Sequence, residues 1–281
     1  MKKIAVIGAG TMGNGIAHVF AQYQLQVNLI DTSSVALEKA LANIAKNLDR
    51  QINKGIISNE DKTATLQKIT CFTNIELGVQ DVDLIVEAAT ENSEVKKSIF
   101  QQMDQFAKPE CILASNTSSI SITSLANATQ RPNKVIGMHF MNPVPVMKLV
   151  EIINGEATDA ETTNTIVALT EAIKKVPCVV KDAPGFIANR ILMPMINEAV
   201  YAFSEGISDA NTIDTIMKFG MAHPMGPLQL ADYIGLDVCK NILTIMQEGF
   251  NDTKYAPCPL LVEMVNAGKL GVKSGEGFYK Y

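Results

Sequence analysis

The feature that most constrains the fold of this chain is a glycine-rich turn near its start. The motif reads Gly8-Ala9-Gly10-Thr11-Met12-Gly13. An apolar run, Lys3–Gly8, leads into it, and a helical pattern over Met12–Gln24 follows. In such a strand–turn–helix unit the first glycine allows the tight turn, the second lets a pyrophosphate approach the backbone, and the third permits close helix–strand packing. The helix N-terminus then offers N–H groups to phosphates. The motif predicts a dinucleotide site.

Asp31, at the end of the next apolar run, bears on the choice of cofactor. Its carboxylate can hydrogen-bond a ribose 2′-hydroxyl and would repel a 2′-phosphate, and no arginine lies beside it, so NAD is favoured. NADP is not excluded, and a flavin is the chief competitor for the same motif. The glycines could also form a turn without a ligand, and Asp31 could cap a helix.

Strand and helix patterns alternate through the first two-thirds of the chain, which predicts a Rossmann-like, doubly wound α/β sheet with parallel strands. The strand candidates are Lys3–Gly8, Gln26–Asp31, Asp83–Ala88, Ile112–Ser115, Val135–Phe140, Leu149–Ile153 and Cys178–Lys181. The helix candidates are Met12–Gln24, Val35–Lys54, Val95–Phe106 and Ala160–Lys174. The helical stretch Ser34–Gln67 exceeds an ordinary crossover, so we expect an inserted helical pair that projects from the sheet.

After Asp182 the pattern becomes helical throughout. The helix candidates are Phe186–Phe203, Ala210–Phe219, Leu228–Gln247 and Pro259–Ala267. The first is apolar on nearly all faces, which predicts deep burial at a subunit interface, and Pro194 inside it predicts a kink or a break. We therefore expect an NAD-binding Rossmann-type domain over residues 1–183 and an all-α dimerisation and substrate domain over residues 184–281.

The composition is that of a globular protein with a mild acidic excess. The chain has 281 residues, 47% hydrophobic and 19% charged, and its 24 basic and 29 acidic side chains give a net charge of −5. Nucleic-acid binding depends on clustered cations, so nucleic acid is not expected as the main partner. No apolar stretch approaches the length of a membrane span or a signal peptide core, so a cytoplasmic location and no membrane association are expected.

The cysteines give no sign of a metal or disulfide site. They are Cys71, Cys111, Cys178, Cys239 and Cys258. No pair has the CxxC spacing of a zinc or redox site, and scattered cysteines are typical of reduced cytosolic proteins. No metal is expected.

Three histidines are the candidate general bases: His18, His139 and His223. His139 ends a strand candidate, and the carboxyl ends of parallel strands line the ligand crevice of an open sheet. Glu151 lies within the next apolar run, where a buried carboxylate needs a partner, and the imidazole of His139 would supply one. Hydroxyl and amide side chains of the segment 115–119 follow another strand on the same rim, although such residues also cap helices.

Several stretches together resemble the L-3-hydroxyacyl-CoA dehydrogenases and cover the chain from end to end. They are VIGAGTMG, VEAATEN, ASNTSSISIT, GMHFMNPVPVMKLVEII, DAPGFIANRIL, HPMGPLQLAD and GVKSGEGFYKY. The resemblance implies NAD-dependent interconversion of (S)-3-hydroxybutyryl-CoA and acetoacetyl-CoA in a homodimer. It implies that His139 is the catalytic acid–base, that Glu151 is its partner, and that Ser118 and Asn189 bind the reacting oxygen.

The same resemblance implies further binding residues. For the cofactor they are Gly8 to Gly13, Asp31, Glu91, Lys96, Ser118, Asn142 and Lys273. For the acyl-CoA substrate they are Lys54, Ser118 and Asn189. Lys54 falls on the same helix face as Lys46 and Arg50, which suits the anionic coenzyme A, although such a face can also be merely solvated.

Two other functions compete with this interpretation. One is a related dehydrogenase of a free 3-hydroxy acid of the L-gulonate type, in which Lys54 would have no coenzyme A to bind. The other is a non-catalytic, structural NAD-binding relative, which would not need Ser118, His139, Glu151 and Asn189 together.

Overall fold

The computed structural model describes residues 1–281 and contains two compact units, Met1–Asp182 and Ala183–Tyr281. The strands of the first unit are β1 (Lys3–Ile7), β2 (Gln26–Ile30), β3 (Ile69–Phe72), β4 (Leu84–Glu87), β5 (Ile112–Ser115), β6 (Val135–Phe140), β7 (Leu149–Asn154) and β8 (Val176–Lys181). Its helices are α1 (Thr11–Gln22), α2 (Ser34–Asn53), α3 (Asn59–Gln67), α4 (Ile75–Val79), α5 (Ser93–Phe106), α6 (Ile122–Ala126) and α7 (Ala160–Ala172).

The strands form one eight-stranded sheet in the order β3-β2-β1-β4-β5-β6-β7-β8. Strands β1 to β6 run parallel. The strand order reverses between β1 and β4, and open α/β sheets bind ligands at the carboxyl ends of the strands at such a switch point. The predicted Rossmann-like α/β sheet is confirmed.

Two features of the sheet differ from the sequence expectation. The pattern predicts no strand at β3, which is a short, incompletely buried edge strand and therefore lacks a strong apolar signal. The expectation of parallel pairing is wrong for β6 and β7, which are antiparallel. The segment 141–148 between them contains no helix, and a parallel return needs a long crossover.

The inserted helical pair, α2 and α3, is present, and both helices pack against α1. Leu37, Ala40, Ile44 and Leu48 form an apolar stripe at helical spacing along α2, and they belong to the same core cluster as β1. The stripe anchors the pair in the core, and Lys46 and Arg50 on another face of α2 are exposed.

The second unit is helical, with α8 (Ala188–Ser204), α9 (Ala210–Gly220), α10 (Pro227–Ile234), α11 (Leu236–Phe250) and α12 (Pro259–Asn266). The predicted helix Leu228–Gln247 is in fact two helices, because Gly235 has a φ of 103°, which lies outside the helical region. Helix α8 continues through Pro194 without a break. Within the chain, Ile191 of α8 is 66% exposed, so this helix is not buried on all faces. No helix is both long enough and apolar enough to cross a membrane.

His18, the first of the three histidines, is a core residue of α1. The side chain is fully buried, and its Nε2 lies 3.4 Å from Nε2 of Gln51. Burial lowers the pKa of His18 to about 4, although a hydrogen bond with Gln22 acts in the opposite direction.

We expect His18 to make the free energy of unfolding depend on pH. Between about pH 6.5 and 4 the unfolded chain binds a proton at this position that the folded chain does not. Stability should therefore fall as the pH drops through this interval, by about 3 kcal/mol from this group. Urea unfolding of His18→Gln should show a shallower pH dependence than the parent protein. The variant His223→Gln, at a partly exposed histidine, serves as the control, and equal slopes in all three proteins would contradict the prediction.

Candidate active site

The glycine loop joins β1 to the start of α1 in a geometry that side chains would block. Gly8 has a φ of 101°, which glycine adopts without strain. A Cβ atom on Gly13 would lie 1.7 Å from the carbonyl oxygen of Gly8, whereas one on Gly10 would meet nothing within 4 Å. Gly10 is the N-cap of α1 and provides no capping side chain, so the first N–H groups of the helix remain for a ligand.

Asp31 follows β2 and fastens the glycine loop to it. Its Oδ2 accepts the N–H of Ala9 at 2.8 Å, and its Oδ1 accepts the N–H of Ser33 at 2.9 Å. The carboxylate therefore has a structural role in the turn, and each carboxylate oxygen can accept a further hydrogen bond from a ribose hydroxyl.

A cleft of about 860 Å³ adjoins Gly8 and Asp31. Its apolar lining includes Ile7, Ile30, Ile75, Val95, Ile99 and Phe106. The charged residues that line it are Asp31, Glu76 and Glu94, and it has no lysine or arginine lining. An apolar cleft beside a glycine loop suits the adenosine half of a dinucleotide, and its carboxylates would repel the 2′-phosphate of NADP. These residues fit NAD.

Glu91 and Lys96 form a network with the loop after β5. The Nζ of Lys96 is buried, lies 2.7 Å from Oε1 and 2.9 Å from Oε2 of Glu87, and is 3.3 Å from Oε2 of Glu91. The Oε1 of Glu91 accepts the hydroxyl of Thr117 at 2.5 Å and the N–H of Ser118 at 2.9 Å.

The network keeps Glu91 ionised. Burial raises the pKa of Glu91, but the charge of Lys96 and the hydrogen bonds from the 117–119 loop outweigh it, so the net pKa is below the usual range. An ionised carboxylate can only accept hydrogen bonds, which is the role that Glu91 has here.

His139 and Glu151 meet across the antiparallel strands β6 and β7. The strand register places them directly opposite each other, and Nδ1 of His139 lies 2.7 Å from Oε2 of Glu151. Both side chains are buried. Because a carboxylate can only accept, Nδ1 carries the proton, and Nε2 is the ring nitrogen that can exchange a proton with a substrate. This pair can orient a general acid–base at the ligand-binding end of the sheet.

The other residues that the sequence predicts for cofactor or substrate binding lie at the following positions in the structure. Asn142 is exposed, three residues after His139 in the β6–β7 connection. Lys54 is exposed and is the C-cap of α2. Asn189 is buried in the first turn of α8 in the second unit. Lys273, also in the second unit, donates to Oδ2 of Asp237 at 2.7 Å. Their roles in binding remain predictions.

Sequence reasoning missed Glu87. It ends β4 and is fully buried, with hydrogen bonds to Lys96 and Ser115. The signal that could have found it is the one that identified Glu151, namely a carboxylate inside an apolar strand.

The sheet topology, the glycine loop and the cleft define a dinucleotide-binding protein of the Rossmann type. Residues 3–183 match the family model described as 3-hydroxyacyl-CoA dehydrogenase, NAD binding domain, and residues 185–281 match the model of its C-terminal domain. The chain belongs to the 3-hydroxyacyl-CoA dehydrogenase family, and NAD is confirmed as the cofactor.

Similar proteins agree with this assignment over the full chain. The 3-hydroxybutyryl-CoA dehydrogenase of Bradyrhizobium diazoefficiens is 50% identical and aligns over 100% of this chain and 96% of its own length. The Clostridioides difficile enzyme of the same name is 48% identical over 99% of each chain. The crystal structure of (S)-3-hydroxybutyryl-CoA dehydrogenase from Ralstonia eutropha has a TM-score of 0.97 and 46% identity, covering 100% of this chain and 99% of that one.

Proposed function

We propose that this chain is a dehydrogenase that interconverts (S)-3-hydroxybutyryl-CoA and acetoacetyl-CoA with NAD. The observation that carries the proposal is the buried His139–Glu151 pair, 2.7 Å apart, at the carboxyl end of β6. Family membership and the names of similar enzymes support the substrate class.

His139 is the proton carrier of the proposed reaction. In the oxidation direction its Nε2 accepts the proton of the C3 hydroxyl, and in the reduction direction the imidazolium returns a proton to the oxygen at C3. Glu151 holds Nδ1–H, so it fixes the ring orientation and stabilises the imidazolium while it exists.

Ser118 and Asn189 are proposed to bind the reacting oxygen. A hydroxyl and a side-chain amide can each donate to an oxygen that gains negative charge, and donors fixed in advance stabilise it most. Glu91 supports this role, because it fixes the backbone at Ser118.

The cofactor-binding residues are proposed to divide between the two halves of NAD. Gly8 to Gly13 would bind the pyrophosphate, Asp31 the adenosine ribose, and Glu91 and Lys96 the nicotinamide end. Ser118, Asn142 and Lys273 are proposed as further cofactor-binding residues. When bound, NAD supplies the acceptor for the hydride at C3. The protein supplies orientation and the path for the proton.

Lys54 is proposed to bind the coenzyme A moiety, so its charge should matter for acyl-CoA substrates alone. We expect Lys54→Met to raise KM for acetoacetyl-CoA about fivefold to twentyfold with little change in kcat, because a uniform binding contact is lost. Lys39→Met is a matched control, since Lys39 is an exposed lysine of the same helix, 54 − 39 = 15 residues away, or about 22 Å. A KM in Lys54→Met equal to that of Lys39→Met would remove Lys54 from the substrate site.

Steady-state oxidation of NADH tests the proposed function. The purified protein should turn over acetoacetyl-CoA, and it should turn over free 3-keto acids poorly. A preference for the free acid would favour the L-gulonate type of dehydrogenase. Complete inertness at millimolar acetoacetyl-CoA would favour a structural NAD-binding protein.

The assembly and the cellular location are also part of the proposal. The second unit is proposed to carry the contact of a homodimer and part of the substrate site, and the protein is proposed to act in the cytoplasm. Exposed apolar side chains of the second unit, among them Ile191, Ile216 and Phe219, support the dimer.

A further inference from the structure

Glu87 is a fully buried carboxylate for which the proposed reaction has no use. It ends β4, and its side-chain oxygens accept hydrogen bonds from three groups. The Nζ of Lys96 lies 2.7 Å from Oε1 and 2.9 Å from Oε2, the N–H of Ala89 lies 2.7 Å from Oε1, and the hydroxyl of Ser115 lies 2.7 Å from Oε2. Burial of a carboxylate destabilises a fold unless the carboxylate is paired and hydrogen-bonded. Glu87 is both paired and hydrogen-bonded.

The first path from Glu87 leads to Ser118 through two charged side chains. Glu87 holds the ammonium of Lys96, which is 1% exposed, and that ammonium lies 3.3 Å from Oε2 of Glu91. Glu91 in turn accepts the N–H of Ser118 at 2.9 Å and the hydroxyl of Ser119 at 3.0 Å. The position of Glu91, and of the loop it holds, therefore depends on the position of Lys96.

The second path runs directly through β5. Strand register places Ser115 opposite Glu87, and the Oγ of Ser115, which donates to Glu87, accepts the N–H of Thr117 at 3.2 Å. Asn116, between them, accepts the N–H of Phe140 through its Oδ1 at 2.9 Å, which ties the same segment to the strand of His139. Two routes from Glu87 thus reach the loop of residues 117–119.

We infer that Glu87 is a positioning residue for the proposed reaction, because it fixes the loop that presents Ser118. The inference rests on the proposed function. Lys96 has two carboxylate neighbours, so loss of the Glu87 charge would leave it with Glu91 alone and let both move. A displacement of about 1 Å at a group that binds the reacting oxygen can cost as much as 100-fold in rate.

A double-mutant cycle between Glu87 and Ser118 tests this inference. In the parent protein Ser118→Ala should lower kcat about 100-fold, as expected for loss of one donor to the reacting oxygen. Glu87→Gln should lower kcat about 10-fold to 100-fold. If Glu87 acts through the Ser118 loop, adding Glu87→Gln to Ser118→Ala should cost less than about threefold more than Ser118→Ala alone. A merely structural carboxylate would give multiplicative losses.

Two further variants keep the test decisive. Ser115→Ala removes only the hydroxyl between Glu87 and Thr117, so it replaces Glu87→Gln in the test if that variant fails to fold. The loss of kcat in Ser115→Ala with Ser118→Ala should be smaller than the product of the two single losses. Asp104→Asn is the matched control, since Asp104 is a partly buried carboxylate of the same unit that pairs with Arg131 at 2.6 Å and lies outside this network. Its effect should multiply with that of Ser118→Ala.

The outcomes separate this inference from the proposed function. A parent protein without activity on acetoacetyl-CoA would overturn the proposed function and this inference with it. An active parent protein in which Glu87→Gln and Ser115→Ala both give multiplicative losses with Ser118→Ala would overturn only the role of Glu87.

Discussion

Replacement of His139 by glutamine is expected to lower kcat by about 10²-fold to 10⁴-fold, the usual contribution of a general acid–base. Glutamine has a similar size and can still bond to Glu151, but it cannot exchange a proton at neutral pH. NADH affinity should change less than about threefold, because the glycine loop and the cleft beside Asp31 lie on other strands of the sheet. Pre-steady-state rates and a fluorescence titration with NADH measure the two quantities.

Substitution of Glu151, the partner of His139, provides a second test of the same site. Glu151→Gln keeps an acceptor oxygen but loses the charge, so it should lower kcat by a smaller factor than His139→Gln, and the double variant should be little worse than His139→Gln alone. Normal turnover in His139→Gln would remove His139 from the mechanism, whatever the effect of Glu151→Gln.

Substitution of Gly13 by alanine is expected to weaken cofactor binding strongly and to destabilise the free protein. The new methyl group would overlap the Gly8 carbonyl oxygen, with 1.7 Å between the two atoms, so β1 and α1 must move apart. We expect a loss of at least about 2 kcal/mol in the free energy of unfolding, since overpacking of this kind is not relieved by a side-chain rotation. NADH affinity should fall at least about 30-fold, because the phosphate-binding turn loses its shape.

Gly10→Ala is the matched comparison for Gly13→Ala. A Cβ atom at Gly10 meets nothing within 4 Å, and this residue has an ordinary extended conformation. Stability of the free protein should change by less than about 1 kcal/mol, yet NADH affinity should fall about tenfold, because the methyl occupies space that a pyrophosphate needs. If both variants bound NADH as the parent does, the glycine loop would not be the phosphate site.

The fold could be predicted from the sequence wherever a local pattern determines it. The glycine motif and the apolar runs predicted the sheet, and Leu149 and Val135 begin β7 and β6 as expected. Strand β3 could not be predicted, because it is a short edge strand without buried residues and therefore lacks a strong apolar pattern. The direction of β7 depends on the connection from β6, and the division of the predicted Leu228–Gln247 helix depends on the positive φ of Gly235.

In the candidate site, too, the sequence predicted only contacts that a local pattern indicates. The carboxylate of Glu151 is conspicuous in its strand, and it suggested a partner on the neighbouring strand. Glu87 has the same signal, but its main partner, Lys96, lies on α5, and no sequence spacing relates the two. Networks that join a strand end, a helix and a loop can be found only once the fold has placed them together.

The central claim is that His139, as a general acid, completes the reduction of a keto group at C3. Transfer of deuterium from NADH to C3 of the substrate tests this claim most directly. The protein would be mixed with acetoacetyl-CoA and NADH deuterated at both C4 positions, and the product analysed by mass spectrometry and chiral chromatography. The account predicts (S)-3-hydroxybutyryl-CoA with one deuterium at C3, formed rapidly by the parent protein and at least about 100-fold more slowly by His139→Gln. An unlabelled or (R)-configured product, or equal rates in the two proteins, would contradict it.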